Sequence, residues 1–313
     1  MSAKRRSRAL DYAVYVLVRV AVCVVQTLSW RGALWLARGL ARLAYRLDRR
    51  HRLVAGDNIR HAFPDLDAPA VGRLVRASYV HLTTMLVEMI RLPRILRRAN
   101  LDDYVRHAHQ DDLPRMLACA NSGRPRLALT GHFGNWEIVS YAAGLIGIRG
   151  GIVARRLDNP HLDRFLAVFR RRTGLTLLDK AADYPRILEI LGAGGGLGMV
   201  GDQDAGPRGM FVDFFGRPAS TFKSIALLSL EYGAPILVIG AARVGTPMQY
   251  RLYLEDFILP EDYAGRPDAP RAITQRYTEA LERMVRRHPE QYFWLHRRWK
   301  NQPQPKRASK RAA

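Results

Sequence analysis

From residue 101 onward, short apolar runs alternate with segments whose apolar residues recur at helical spacing. This alternation predicts an α/β fold, with a mixed, mostly parallel sheet flanked by helices. Two further observations shape the expectation. A mostly apolar run from Ala9 to Trp30 predicts an N-terminal membrane-anchoring helix. No internal repeat or interdomain linker interrupts the rest, so one domain is expected over 53–300, after an anchor and basic amphipathic helix over 1–52. The polar, basic, proline-containing stretch 301–313 reads as a disordered tail.

The apolar run is long enough to span a bilayer, which takes about 17–25 residues. Asp11 and Arg19 interrupt it, and Tyr12, Tyr15 and Trp30 suit a membrane interface. Basic residues stand on both sides, Lys4 to Arg8 before it and the arginine-rich 31–52 after it. A helix lying in the interface fits both flanks better than one that crosses, and the positive-inside rule keeps the following domain cytoplasmic. Val54 to Pro64 reads as a connector. From Pro69 to Leu92 the apolar spacing predicts a helix, with Glu88 on its apolar face as a buried ion-pair partner. Strands are then expected near 126–130, 150–154, 175–178, 197–201 and 235–240. Helices are expected near 136–147, 160–173, 183–192, 219–232 and 270–287.

The 313 residues carry a formal net charge of +22 and an apolar fraction of 48%, so the chain is folded and its partner is anionic. Nucleic acid, acidic lipid and an acidic carrier protein all qualify. Cys23 and Cys119 are the only cysteines, which excludes a disulfide framework and a cysteine metal site. His107 and His109 have no third ligand nearby, so no metal is expected. Gly196 to Gly201 matches G-x-G-x-x-G, but it runs into a strand rather than from a strand into a helix. Neither a G-x-S-x-G elbow nor a phosphate loop occurs.

The strongest chemical signal is Gly131-His132-Phe133-Gly134-Asn135-Trp136-Glu137, between an apolar strand and a helix start. The carboxyl end of a strand is where open α/β sheets place ligands. Asn135 is expected as the helix N-cap, which puts Glu137 in the first turn, folded back on His132. A carboxylate beside an imidazole fixes its tautomer and raises its pKa, making a better general base. Asp202-Gln203-Asp204 falls at another strand end, where Asp202 can position either substrate or a basic side chain. Phe211 to Gly216 is an aromatic block suited to an apolar channel, or a turn followed by a core strand. Arg155 follows a further strand end, Asn159-Pro160 opens a helix, and Arg170 lies near the end of that helix. One such guanidinium near a carbonyl stabilises an oxyanion. Pro289 to Lys300, including Arg297 and Arg298, interleaves aromatics and cations suited to nucleic acid or to a phosphorylated headgroup.

Taken together these blocks resemble the late acyltransferases of lipid A biosynthesis, the lauroyl and myristoyl transferase family of the lysophospholipid-acyltransferase-like superfamily. His132 to Glu137 matches the family's H-x-x-x-x-[DE] motif, and Asn58 with Phe63-Pro64 resembles its N…F-P element. Arg155…Asn159-Pro160 with Arg170, then Asp202-Gln203-Asp204, Phe214 to Ala219 with Thr221, and Pro289 to Arg298 resemble its later blocks. Arg156 departs from the usual proline, and Trp299 from the common phenylalanine. The resemblance implies an acyltransferase catalytic domain over 53–300 at the cytoplasmic face of the inner membrane, with no cofactor. It implies an acyl carrier protein thioester as donor and an anionic lipid acceptor, a lipid A precursor of the Kdo-lipid IVA type. Glycolipids, ornithine lipids and pigment precursors are alternative acceptors. His132 and Glu137 are then the catalytic pair, and Arg170, Arg155, Asn135, Asp202, Arg297 and Arg298 the oxyanion and substrate contacts. The different-class alternative, a membrane-tethered nucleic-acid-binding protein, explains the charge but not the glycine-bracketed His132 and Glu137, and nucleic acid is not expected as a partner.

Overall fold

The computed structural model describes residues 7–180 and 182–303. Lys4 to Arg6 of the N-terminal basic cluster and the tail from residue 304 lie outside the described residues. Four helices come first: α1 (Arg8–Thr27), α2 (Trp30–Leu47), α3 (Arg49–Ala62) and α4 (Ala68–Ile95). Each starts at a side-chain cap, with Ser7, Ser29, Asp48 and Asp67 accepting from Leu10, Gly32, His51 and Ala70 N–H respectively. The expected connector from Val54 is therefore wrong, because it lies mostly within α3. Its buried Ala55, Ile59 and Ala62 do follow helical spacing, but charged residues around them hide the pattern. Ala33, Ala37 and Ala41 of α2 are buried, with Ala33 and Ala37 in one small core with Val25 of α1 and Val87 of α4.

The remainder runs α5 (Leu101–Tyr104), β1 (Val105–His107), α6 (Asp112–Asn121), β2 (Arg126–Thr130), α7 (Trp136–Leu145), β3 (Gly150–Ala154) and α8 (Pro160–Arg171). It continues β4 (Thr176–Asp179), α9 (Tyr184–Gly192), β5 (Gly196–Val200), β6 (Met210–Phe214), β7 (Arg217–Thr221) and α10 (Lys223–Tyr232). It closes with β8 (Ile236–Arg243), β9 (Tyr250–Ile258) and α11 (Ala269–Arg287). Seven strands form one sheet in the order β1-β9-β8-β2-β5-β3-β4. The run from β8 to β4 is parallel, and β9 is antiparallel to β8, so the sheet is mixed and mostly parallel as expected. Leu127, Leu129, Leu197 and Val238 pack on one face with α9, α10 and α11. Leu237, Ile239 and Leu252 pack on the other with α6, α7 and the end of α4.

The expected strands and helices of the domain are present with ends shifted by a few residues, and α10 begins at Lys223 because β7 occupies 217–221. β6 and β7 form a separate hairpin, whose two-residue turn places Phe215 at φ 57° and Gly216 at φ 72°. Helices α5 and α6 and strands β1 and β9 fall outside the expected elements.

Candidate active site

The turn between β2 and α7 presents His132. Its shape depends on Gly134, whose φ is +55° and whose added Cβ would stand 1.9 Å from the Ala241 carbonyl oxygen. The turn is braced from behind. Gly134 N–H donates to the Gln291 carbonyl at 2.8 Å, and Phe293 N–H donates to the His132 carbonyl at 2.9 Å. The C-terminal aromatic block thus runs antiparallel along the motif, and Asn58 ties it to α3 by donating to the Trp294 and His296 carbonyls, each at 2.8 Å. A second brace is ionic. Glu88, fully buried, accepts two hydrogen bonds from Arg243 at 2.6 and 2.8 Å, which is the ion pair expected from the sequence. Arg243 also reaches His81, whose Nε2 lies 3.1 Å from the Gly134 carbonyl. Burial and the neighbouring Arg243 charge push His81 down to about 3, so this imidazole is neutral and donates from Nε2.

His132 does not pair with Glu137. Its Nδ1 lies 2.7 Å from Asp202 Oδ1, and its backbone N–H donates to Asp202 Oδ2 at 2.8 Å. The parallel ladder explains the meeting. Thr130 is in register with Val200, so the two chains leave the sheet side by side and Asp202 arrives next to His132. Asp202 is 1% exposed, and the two hydrogen bonds and charge of His132 outweigh its burial, holding the carboxyl well below the usual range. Burial lowers the His132 pKa, but the Asp202 charge and hydrogen bond, helped by the Glu137 charge, outweigh it and raise the imidazole above its ordinary value. With Nδ1–H directed at a carboxylate, the lone pair resides on Nε2. Trp136 packs edge-on against the ring at 5.0 Å between centroids.

Glu137 does stand in the first turn of α7, but its carboxylate is gripped by Arg170 of α8 through Nη2 at 2.6 Å and Nε at 3.2 Å. Asn135 is the N-cap residue without capping; its amide donates to the buried Tyr250 hydroxyl at 2.9 Å. Arg155 is largely exposed and pairs with Asp158 at 2.9 Å. Arg297 is exposed. Arg298 is 1% exposed and donates to the Ser220 carbonyl and Thr221 hydroxyl, each at 2.7 Å, so it locks the β6–β7 hairpin rather than facing solvent. Phe214 and Phe215 pack with Trp294, Trp299 and Phe63 and do not line the cavity described next, which settles the aromatic block as hairpin core.

A cavity of about 590 Å³ lies between the sheet and α7, within the range of sites for small apolar ligands. His132, Trp136, Glu137, Arg155 and Arg170 line it, so the imidazole and the Glu137–Arg170 pair share one chamber. Its other walls are mostly aliphatic, and Gly198 of β5 contributes no side chain to them. Gly196 to Gly201 therefore serves the sheet and its hollow face, in keeping with its unsuitable context for a dinucleotide. The described residues hold no cluster of His, Cys, Asp or Glu arranged for a metal.

An imidazole held by a buried carboxylate thus opens on a mostly apolar chamber, an arrangement suited to proton transfer beside an apolar group. The chain belongs to the bacterial lipid A biosynthesis acyltransferase family, whose family model matches residues 1–301. The lipid A biosynthesis lauroyltransferase of Escherichia coli (strain K12) is 25% identical over 271 residues, covering 85% of this chain and 84% of its own length. The lipid A biosynthesis palmitoleoyltransferase of Escherichia coli (strain K12) is 33% identical over 119 residues, 37% of each chain. The lipid A biosynthesis acyltransferase of Shigella flexneri has the same identity and extent. The protein is thus an acyltransferase.

Proposed function

We propose that the protein moves a fatty acyl chain from an acyl carrier protein thioester to a hydroxyl of a lipid A precursor of the Kdo-lipid IVA type, at the cytoplasmic face of the inner membrane. The observation that carries this reading is the Asp202-held His132 at the wall of the apolar cavity. His132 Nε2 takes the proton of the acceptor hydroxyl as its oxygen attacks the thioester carbonyl carbon. Asp202 keeps the tautomer and stabilises the imidazolium. Arg170 uses Nε and Nη2 on Glu137, which leaves Nη1 to meet the developing oxyanion, so Glu137 acts by aiming Arg170 and by raising the His132 pKa. The carbon–sulfur bond then breaks, and the thiolate leaves with the proton from the imidazolium. Arg155 and Arg297, both exposed, are placed to meet the anionic donor or acceptor, while Asn135 and Arg298 hold the turn and the hairpin in place.

The membrane setting rests on α1 and α2. Residues 1–52 act as the anchor, 53–300 as the catalytic domain. Helix α1 is long and apolar enough to cross a bilayer, and its Leu10, Leu17, Val20 and Val24 are exposed. Its interrupting charges engage protein in part: Arg19, though exposed, lies over the Phe165 ring of α8 at 5.2 Å, and Asp11 is buried, with its backbone carbonyl accepting from Asn159 at 2.8 Å. Trp35, Leu40, Leu43 and Leu47 of α2 extend the exposed apolar surface among arginines that suit anionic headgroups.

The test is single-turnover transfer of a labelled acyl chain from the carrier thioester to the lipid acceptor. Folded His132→Ala should lose about 10²–10⁴-fold in rate. Near-wild-type transfer by that variant, or a labelled acyl group trapped covalently on the protein, would overturn the direct mechanism.

A further inference from the structure

The cavity has a second end. Arg126, Ala128 and Thr130 of β2 line it together with Gly196, Gly198 and Val200 of β5, the alternate residues of two paired strands. It therefore follows both strands from their first residue to their last, with His132 beyond one end and Arg126 at the other. The face is hollow because its middle lacks bulk: a Cβ added to Gly198 would meet nothing nearer than 3.7 Å. Four strand steps at about 3.3 Å each give roughly 13 Å. An extended alkyl chain with C–C bonds of about 1.5 Å advances roughly 1.3 Å per carbon, so this length takes about ten carbons beyond the reacting carbonyl. That is close to a lauroyl chain.

Arg126 stands across the far end. Its side chain lies over Gly196, where an added Cβ would come within 3.0 Å of Nε and 3.2 Å of Cγ and Cζ. Its guanidinium donates to the Arg149 carbonyl at 3.3 Å and the Gly194 carbonyl at 3.5 Å, and forms no ion pair among the described residues. Burial lowers its pKa, opposed by the Cys119 thiol.

We infer that Arg126 is a specificity-determining residue that sets the upper length of the acyl chain. Its stem supplies an apolar floor, and its cation makes methylenes beyond that floor costly, because they would displace the carbonyls and water that solvate it. This rests on the proposal that the cavity receives the donor's acyl chain. Gly198 and Ala128 keep the arm of the cavity along β2 and β5 open, and Arg126 ends that arm; a second arm reaches Leu101, Val105 and Met116.

The experiment compares wild type, Arg126→Ala, Arg126→Met and Arg126→Lys, with circular dichroism to confirm folding. It measures kcat/KM for carrier thioesters from decanoyl to palmitoyl. In parallel, fatty acids of the same lengths are titrated against intrinsic tryptophan fluorescence, to which Trp136 on the cavity wall contributes. Wild type should peak near lauroyl. Arg126→Ala should move the peak to longer chains and raise the palmitoyl-to-lauroyl ratio at least about tenfold, the lower end for one methylene in an apolar pocket. Arg126→Met removes the cation but keeps a flexible stem; it should shift the same way and decides the matter if the alanine variant does not fold. Arg126→Lys should stay near wild type. An unchanged length profile in folded Arg126→Met, or wild type accepting palmitoyl as well as lauroyl, overturns the inference. If wild type turns over no carrier thioester, the proposed donor falls, and the binding series alone decides the gauge by the same criterion. Wild type binding no fatty acid of any length then overturns it too.

Discussion

His132 and Asp202 form a nearly buried pair whose electrostatics set a pH dependence. The imidazole must be unprotonated to act as a base, and Asp202 raises its pKa. In wild type, kcat/KM should therefore fall as pH drops through a value above the ordinary 6.5. Asp202→Asn removes the charge that favours the imidazolium, so the acid limb should move to lower pH while the plateau drops about 10²–10⁴-fold. A limb that stays in place in a folded variant would show that Asp202 does not tune the base. Glu137 and Arg170 make a second test at this scale. They are 7% and 16% exposed, so removing either partner strands the other and should destabilise by about 3–5 kcal/mol. Glu137→Gln with Arg170→Met together should recover most of that stability in denaturant titration. Transfer should remain depressed about 10²–10³-fold, because the proposed oxyanion donor is still missing. Recovery of both stability and rate would make the pair purely structural.

At the scale of elements, α1 has two different sides. One packs on α4 and α8, where Tyr15 meets His161 and Phe165, and the other carries exposed leucine and valine. Helix α8 also carries Arg170, so α1 supports the helix that places the proposed oxyanion donor. Removing residues 1–30 should release the protein from membranes or leave it poorly soluble. It should also lower kcat of the remaining domain. A truncated protein that stays membrane-bound through high-salt washing would disprove the anchor, and flotation of vesicles on a density gradient measures this directly.

Across the whole molecule, a net charge of +22 creates a field that steers acidic partners. An acidic carrier protein should associate faster at low ionic strength, so kcat/KM for the carrier thioester should fall as salt is added while kcat changes little. Coenzyme A is also anionic, and a higher kcat/KM with acyl-coenzyme A than with the carrier thioester would overturn the donor assignment. The fold makes this long-range effect relevant to one place. The strands from β8 to β4 point their carboxyl ends the same way, and β2 and β5 deliver His132 and Asp202 there together.

Local sequence determined much of this protein. Apolar periodicity marked the strands flanking the site, Pro160 marked the start of a helix, and glycines on both sides of His132 marked a tight turn from strand to helix. Glu88 on an apolar helix face announced an ion pair, though not its partner Arg243. Pairing in three dimensions decided the rest. Glu137, five residues from His132, was the nearer carboxylate in sequence, yet Asp202, seventy residues away, holds the imidazole. A parallel ladder brings distant strand ends together, and its register is a property of the sheet rather than of any segment within it. The same reason hid the fate of Arg298. Its surroundings in sequence are cationic and aromatic, whereas its hydrogen-bond partners come from a hairpin nearly eighty residues earlier. Strand β9 went unseen because its antiparallel place beside β8 comes from tertiary packing, and only that packing shows where the hollow face of the sheet begins and ends.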